Sequence, residues 1–108
     1  MDCIFCKIAQ HEIPKVFVYE DEDIMVFPDI HPVKPTHLLI IPKQHIPTFS
    51  HLADDGFLAK ARSVIQDMID QTHLEGEGYR IVINGGGAQA IDHLHIHLTG
   101  PWGSAADL

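Results

Sequence analysis

Between His93 and Leu98 the chain alternates histidine with an aliphatic residue: His93, Leu94, His95, Ile96, His97, Leu98. Alternation is the period of a β-strand, whose successive side chains point to opposite faces. Such a strand turns Leu94, Ile96 and Leu98 toward a core. It lines up three imidazoles on the other face, at stations roughly 6.6–6.8 Å apart. Three imidazoles in a row are costly as plain structure, because each brings ring nitrogens that need partners. The pattern therefore asks for a sheet that packs on one face and does chemistry on the other. The 108 residues are enough for a single domain, 1–108, and little more.

The rest of the chain supplies the elements of an α+β fold. Ile4, Phe5, Ile8 and Ala9 have helical spacing within a short N-terminal helix, residues 3–10, which ends before Pro14. Val16–Glu20 and Ile24–Phe27 read as strands flanking the polar turn Asp21-Glu22-Asp23. Pro32 and Pro35 hold an extended connection to His37–Ile41, a nearly continuous apolar run expected at the centre of a sheet. From Asp54, read as an N-cap, the period changes. Phe57, Leu58, Ala61, Val64, Ile65, Met68 and Ile69 mark one face of a long amphipathic helix, followed by Gly76 and Gly78. Tyr79–Asn84 is a further strand, Gly85-Gly86-Gly87 a loop, and the histidine strand comes last. The tail, Trp102–Leu108, has no strong pattern. The order α-β-β-β-α-β-β predicts a mainly antiparallel five-stranded sheet with one long and one short helix.

Charge narrows the partners. Seven basic and fifteen acidic residues give a formal net charge of −8, and the basic residues are scattered. Polyanion binding needs many Lys and Arg on phosphates, so nucleic acid and anionic membranes are disfavoured. A small phosphate compound is compatible, because one local pocket can override the global sign. No apolar run approaches the roughly 18 residues of a membrane span, and the N-terminus lacks a signal-peptide pattern. A cytoplasmic protein is expected.

Cys3 and Cys6 form a C-x-x-C pair. The spacing suits half a metal site or a redox pair, and equally two small buried residues under a first helical turn. Its place at the extreme N-terminus favours metal over redox. The histidine row likewise admits two readings: a strand-borne metal chelate, or nucleophilic and acid–base chemistry by neutral imidazole. The preceding Asn84-Gly85-Gly86-Gly87-Ala88-Gln89 offers backbone N–H groups and two amides that can wrap anionic oxygens, which tips the balance to phosphate chemistry.

His93-x-His95-x-His97, with apolar residues between and after, resembles the signature of the histidine triad (HIT) family. Cys3-Ile4-Phe5-Cys6-Lys7-Ile8, Glu12-Ile13-Pro14, Asp29-Ile30, Pro35-Thr36-His37 and Ile41-Pro42-Lys43-x-His45 resemble its other landmarks in order, over nearly the whole chain. The resemblance implies the HIT-like α+β fold, a homodimer, and a nucleotide hydrolase or transferase. It implies that His95 attacks an α-phosphate to form a nucleotidyl-histidine intermediate, with His93 and His97 flanking the phosphate and His37 in support. Asp29 matches the ribose-hydroxyl acceptor. Ile4, Phe5, Ile8 and Phe27 fall at base-pocket positions and Asn84 and Gln89 at phosphate-contact positions, and Ile30 and Ala90 join them among the implied nucleotide-binding residues. Some relatives carry a structural zinc, which here implies Cys3, Cys6, His45 and His93 as ligands. The implied ligand is a purine nucleotide resembling AMP or GMP, as a phosphoramidate or another 5′-phosphate ester or anhydride.

One departure matters. Ala90 stands where relatives usually carry Ser or Thr. Losing that hydroxyl weakens the case for efficient phosphoramidate hydrolysis and leaves nucleotide binding intact, so a nucleotide sensor with little turnover is the alternative. A third reading places zinc on the triad itself. His11, His31, His51 and His73 match no motif and are expected at the surface.

Overall fold

The computed structural model describes residues 2–104; Met1 and residues 105–108 of the patternless tail lie outside the described residues. The elements are α1 (Ile4–Ala9), β1 (Tyr19–Glu20), β2 (Ile24–Pro28), β3 (Thr36–Pro42), a 3-10 turn (Phe49–His51), α2 (Phe57–Gln71), β4 (Arg80–Ile83) and β5 (Ile96–Gly100). The strands form one sheet in the order β1-β2-β3-β5-β4, with every neighbouring pair antiparallel. This is the expected α+β architecture.

The sheet carries a core on each face. On one side Ile24, Val26, Leu38, Ile40, Ile96 and Leu98 pack against Ala61, Val64, Ile65, Met68 and Ile69 of α2. On the other, Met25, Phe27, Leu39 and Ile41 pack against Cys3, Phe5 and Ile8 from the start of the chain. Leu39 lies opposite His97, and His37 opposite Thr99. His37 and His97 therefore emerge on the α1 face. Ile96 and Leu98 of the His-Leu-His-Ile-His-Leu run face α2, so their alternation with His97 divides a buried layer from a working one.

Three boundaries differ from the sequence reading by more than one residue. β5 begins at Ile96, so His93 and His95 belong to its entry. Leu94 N–H donates to Ile46 O at 2.6 Å and His93 N–H to Ile91 O at 2.8 Å, which takes these groups out of the sheet ladder. β1 is two residues long: Val18 N–H still reaches Val26 O, but Val16 at the sheet's edge is 87% exposed. The residue capping α2 is Gly56 in the left-handed region, φ 89°, which favours glycine, and Asp54 is not the cap. Asp55 Oδ1 accepts the Phe57 N–H at 3.2 Å.

The β1–β2 turn is organised by Asp21. Its carboxylate accepts from Tyr19 O–H and from the N–H groups of Asp23 and Ile24, and Lys60 of α2 lies 3.3 Å away. Burial alone would raise its pKa. The hydrogen bonds outweigh that and hold it at about 2, against an ordinary 3.8. A depressed carboxylate stabilises the fold above its unfolded pKa and loses that contribution as pH falls through its folded one. Asp21→Asn is expected to cost about 2 kcal/mol at neutral pH. In urea unfolding the two proteins should converge as pH drops from 3.8 toward about 2. A cost that does not shrink at the acid end refutes the assignment.

Candidate active site and metal centre

The hydrogen bonds of the triad region fix which ring nitrogen carries each proton. His95 Nδ1 lies 2.7 Å from the main-chain carbonyl of His93. A carbonyl only accepts, so Nδ1 carries the proton and Nε2 of the neutral ring holds a lone pair. Nε2 makes no hydrogen bond among the described residues. Phe5 packs edge-on against this ring, with centroids 5.2 Å apart. His37 Nδ1 accepts the Val33 N–H at 3.1 Å, so its proton sits on Nε2, 2.9 Å from His97 Nδ1. His97 Nδ1 accepts, and the His97 proton therefore sits on Nε2. That nitrogen is buried and has no partner among the described residues. Burial, then the adjacent His95 and His37 rings, push His97 below the ordinary histidine range and keep it neutral. The centroids of His95 and His97 are 5.0 Å apart. The result is a lone pair beside an unpaired donor, a pairing suited to an electrophilic phosphorus and its oxygen.

His93 serves a different centre. Its Nε2–H donates to Pro42 O at 2.7 Å, which leaves Nδ1 deprotonated. Nδ1 faces Cys3 Sγ at 3.3 Å, Cys6 Sγ at 3.6 Å and His45 Nδ1 at 3.2 Å, and Cys6 Sγ lies 3.2 Å from His45 Nδ1. All four donor atoms lie within 4.8 Å of one another. Ordinary zinc bond lengths place neighbouring ligand atoms ~3.3–3.8 Å apart around a tetrahedron. The donor set therefore fits a tetrahedral zinc-sized dication. Burial, followed by the neighbouring Cys3 sulfur, pushes the Cys6 thiol up to about 11. A bound dication reverses that penalty, since coordination holds thiols as thiolates. Burial also keeps the His93 ring neutral, the form that ligates. Both His93 nitrogens are thus taken, and it does not flank an open site with its ring. A second cluster, Asp29, His37 and His97, contains the His37–His97 hydrogen bond just described, and Asp29 Oδ2 lies 3.5 Å from His37 Nε2.

The remaining candidates scatter more widely. Phe5, Ile8 and Phe27 are core residues, whereas Ile4 and Ile30 offer open apolar surface. Asp29 Oδ1 accepts the His31 N–H, closing the turn after β2. Gln89 spends its amide on main-chain groups, accepting from Gly87 N–H in its own loop and donating to Pro47 O in the segment after β3. Asn84 and Ala90 are exposed, and Ala90 lines a cavity of about 420 Å³ with Asp2, Ile4 and Asp92. His11, His31, His51 and His73 are exposed. The sequence reading missed the main-chain groups of Val33 and Pro42, which set two tautomers. It also missed Thr48, whose Oγ1 accepts the Gly86 N–H at 3.0 Å and ties down the glycine loop. Main-chain partners leave no residue-type signal; Thr48 carries one only in its short side chain.

Comparison with known proteins bears on the fold and the family. The family model described as scavenger mRNA decapping enzyme C-term binding matches residues 2–105. Protein HitA of Neisseria gonorrhoeae is 42% identical over 103 residues, covering 92% of this chain and 95% of that protein. The purine nucleoside phosphoramidase of Escherichia coli is 38% identical over 103 residues, 92% of this chain and 87% of that one. Among solved structures, a HIT family hydrolase from Legionella pneumophila superposes with a TM-score of 0.85 at 47% identity, covering 92% of each chain. A zinc-bound histidine triad family protein from Mycobacterium smegmatis superposes with a TM-score of 0.80 at 32% identity, over 91% of this chain and 73% of that one. A five-stranded antiparallel sheet, a histidine row at the entry to its fourth strand in space, and matches spanning nearly all of the chain lead to one assignment: this chain belongs to the histidine triad family.

Proposed function

We propose that the chain is a purine nucleotide hydrolase or nucleotidyl transferase that works through His95. The observation that carries this reading is the fixed tautomer of His95, whose Nδ1–H is held by the His93 carbonyl while Nε2 stays free. The Nε2 lone pair attacks the α-phosphorus, the bond to the leaving group breaks, and the nucleotidyl group is held on His95. Water or another acceptor then cleaves that phosphorus–nitrogen bond and releases or transfers the nucleoside monophosphate. His97 Nε2–H donates to a phosphate oxygen, and His37 holds His97 in the required tautomer. Asp29 Oδ2 takes the ribose hydroxyls. Ile4 and Ile30 border the base, over a floor of Phe5, Ile8 and Phe27. Asn84 and the N–H groups near Gln89 and Ala90 meet the phosphate side. The phosphoramidase among its relatives supports a purine nucleoside phosphoramidate as substrate.

Cys3, Cys6, His45 and His93 hold one structural zinc, which when bound cross-links α1 to the segment after β3 and to the entry of β5. Reduced thiols and a nucleotide substrate suit a cytoplasmic protein. The test is direct: the zinc-loaded wild type is given adenosine 5′-phosphoramidate and, separately, titrated with AMP. AMP release with AMP binding is expected. Binding without release overturns the enzyme in favour of a nucleotide sensor, the outcome that Ala90 motivates; no binding overturns both.

The dimer reading rests on the edge formed by β4. This strand ends the sheet, and its outer edge has no partner strand among the described residues. Beside it, Leu58, Ala61, Ile65 and Ile69 of α2 with Tyr79, Ile81 and Ile83 line an apolar groove of about 340 Å³. Ile81 and Leu58 are each 47% exposed. A second copy that pairs β4 with β4 satisfies the strand edge and covers the groove at once. Sedimentation should give twice the 12.1 kDa chain mass, and Ile81→Asp should return the protein to monomer. A wild-type monomer at micromolar concentration refutes the dimer.

A further inference from the structure

We propose that Cys3 and Cys6 are also a thiol modification site: a peroxide converts them to a disulfide, ejects the metal and loosens the nucleotide site. The proposal rests on the zinc reading above. Its geometry lies in the helix start. Cys3 stands just outside α1 in extended conformation, φ −106° and ψ 116°, and its side chain folds back over the first turn. Cys6 N–H donates to Cys3 Sγ at 3.4 Å. The two sulfurs lie within 4.8 Å of each other. Side-chain rotation across one helical turn brings them to the ~2.05 Å of a disulfide without moving the backbone apart.

Each cysteine borders a cavity large enough to admit a small oxidant. Cys6 lines a cavity of about 420 Å³ with Lys7, Gln10, Lys43 and His45. Cys3 lines another of similar size on the Ala90 side. Coordination keeps both as thiolates, the oxidisable form. The two thiolates give up two electrons to the peroxide, which takes up two protons and leaves as water and the corresponding hydroxyl compound. A sulfur–sulfur bond forms, and the dication, left with two imidazoles, departs.

The consequence follows from what each bond connects. The four-ligand set ties α1 to His45 and to His93. A Cys3–Cys6 bond is local to the start of α1 and ties it to neither. That helix carries Ile4, Phe5 and Ile8, and Phe5 packs against both His93 and His95. His93 in turn supplies the carbonyl that orients His95. Oxidation therefore frees the base side and the nucleophile together.

The experiment loads the full chain with zinc, measures uptake, then adds hydrogen peroxide. Zinc release is read with a chromogenic chelator, the disulfide by mass in the peptide ending at Lys7, and AMP affinity by titration. One zinc is expected to leave per disulfide formed, with AMP binding weakened about tenfold. A thiol reductant with added zinc should restore both. Failure of zinc uptake overturns the metal reading, and the switch with it. Uptake followed by retained zinc and reduced cysteines overturns the switch alone, as does a disulfide with unchanged AMP affinity. In Cys6→Ser, peroxide should leave AMP affinity where it was; a further loss there also refutes the proposal.

Discussion

His95→Ala is expected to lower adenosine 5′-phosphoramidate turnover by at least about a thousandfold while weakening AMP binding less than about tenfold. The split follows from geometry. The ring is nearly buried, and the rest of it is held by Phe5 and by the His93 carbonyl, so what it offers a ligand is the Nε2 lone pair. A bound monophosphate has no need of that lone pair; a reacting α-phosphorus does. A thousandfold loss is about 4 kcal/mol of transition-state stabilisation. It should fall almost wholly on kcat. Alkaline quenching of the wild type in turnover, which preserves an acid-labile phosphorus–nitrogen bond, should trap a nucleotidyl adduct on the peptide containing His95, and the variant should yield none. His97→Ala removes a donor and not the nucleophile, so it should slow the reaction by a smaller factor and still allow the adduct. Turnover in His95→Ala within tenfold of wild type would sink the mechanism, whatever the variant's affinity for AMP.

The sequence and the structure meet at different depths for different residues. The seven apolar positions from Phe57 to Ile69 repeat at helical spacing, and α2 forms where they say, because burying one face of a long helix is a local pattern with a large area behind it. The alternation from His93 to Leu98 correctly assigns Ile96 and Leu98 to the core. It overextends the strand, because Leu94 N–H is claimed by Ile46 O, a residue far away in the chain. No local period carries that information. The start of α2 shows the opposite case, a decision made within three residues. Asp54, Asp55 and Gly56 all favour a cap, and the left-handed backbone at Gly56 decided it.

The site repeats this division. Residue types announce imidazole and thiol chemistry, and it is the resemblance to the histidine triad family that adds His45 and His93 to the C-x-x-C pair as a donor set. Which nitrogen of each ring carries the proton depends on main-chain groups of Val33, Pro42 and His93. Any residue can present a carbonyl, so nothing in the residue types reveals it. The same reason explains Phe5, Ile8 and Phe27. Their apolar character is plain in the sequence, but only packing of α1 on β2 and β3 shows that they are core residues and not exposed surface.

Unfolding stability is expected to rise with free zinc by about 1.4 kcal/mol per decade above the dissociation constant, the slope for one ion bound only by the folded chain. At a thousandfold excess the gain is about 4 kcal/mol. For a chain of this size that corresponds to a rise in Tm of more than about 10 °C. The size follows from what the donor set joins. Cys3 and Cys6 lie at the start of a six-residue helix, too short to be stable on its own, and His45 and His93 lie on segments that enter and leave the sheet. A cation at their centre would therefore hold together three stretches of chain that otherwise meet through one apolar layer. Cys3→Ala should flatten the slope, and Pro42 should matter only through the carbonyl that orients His93. His95→Ala should keep the full slope, because its ring belongs to no donor cluster among the described residues. If His95→Ala flattened the slope and Cys3→Ala did not, the metal would sit on the triad, and the hydrogen-bond assignment of every ring around it would have to be redrawn.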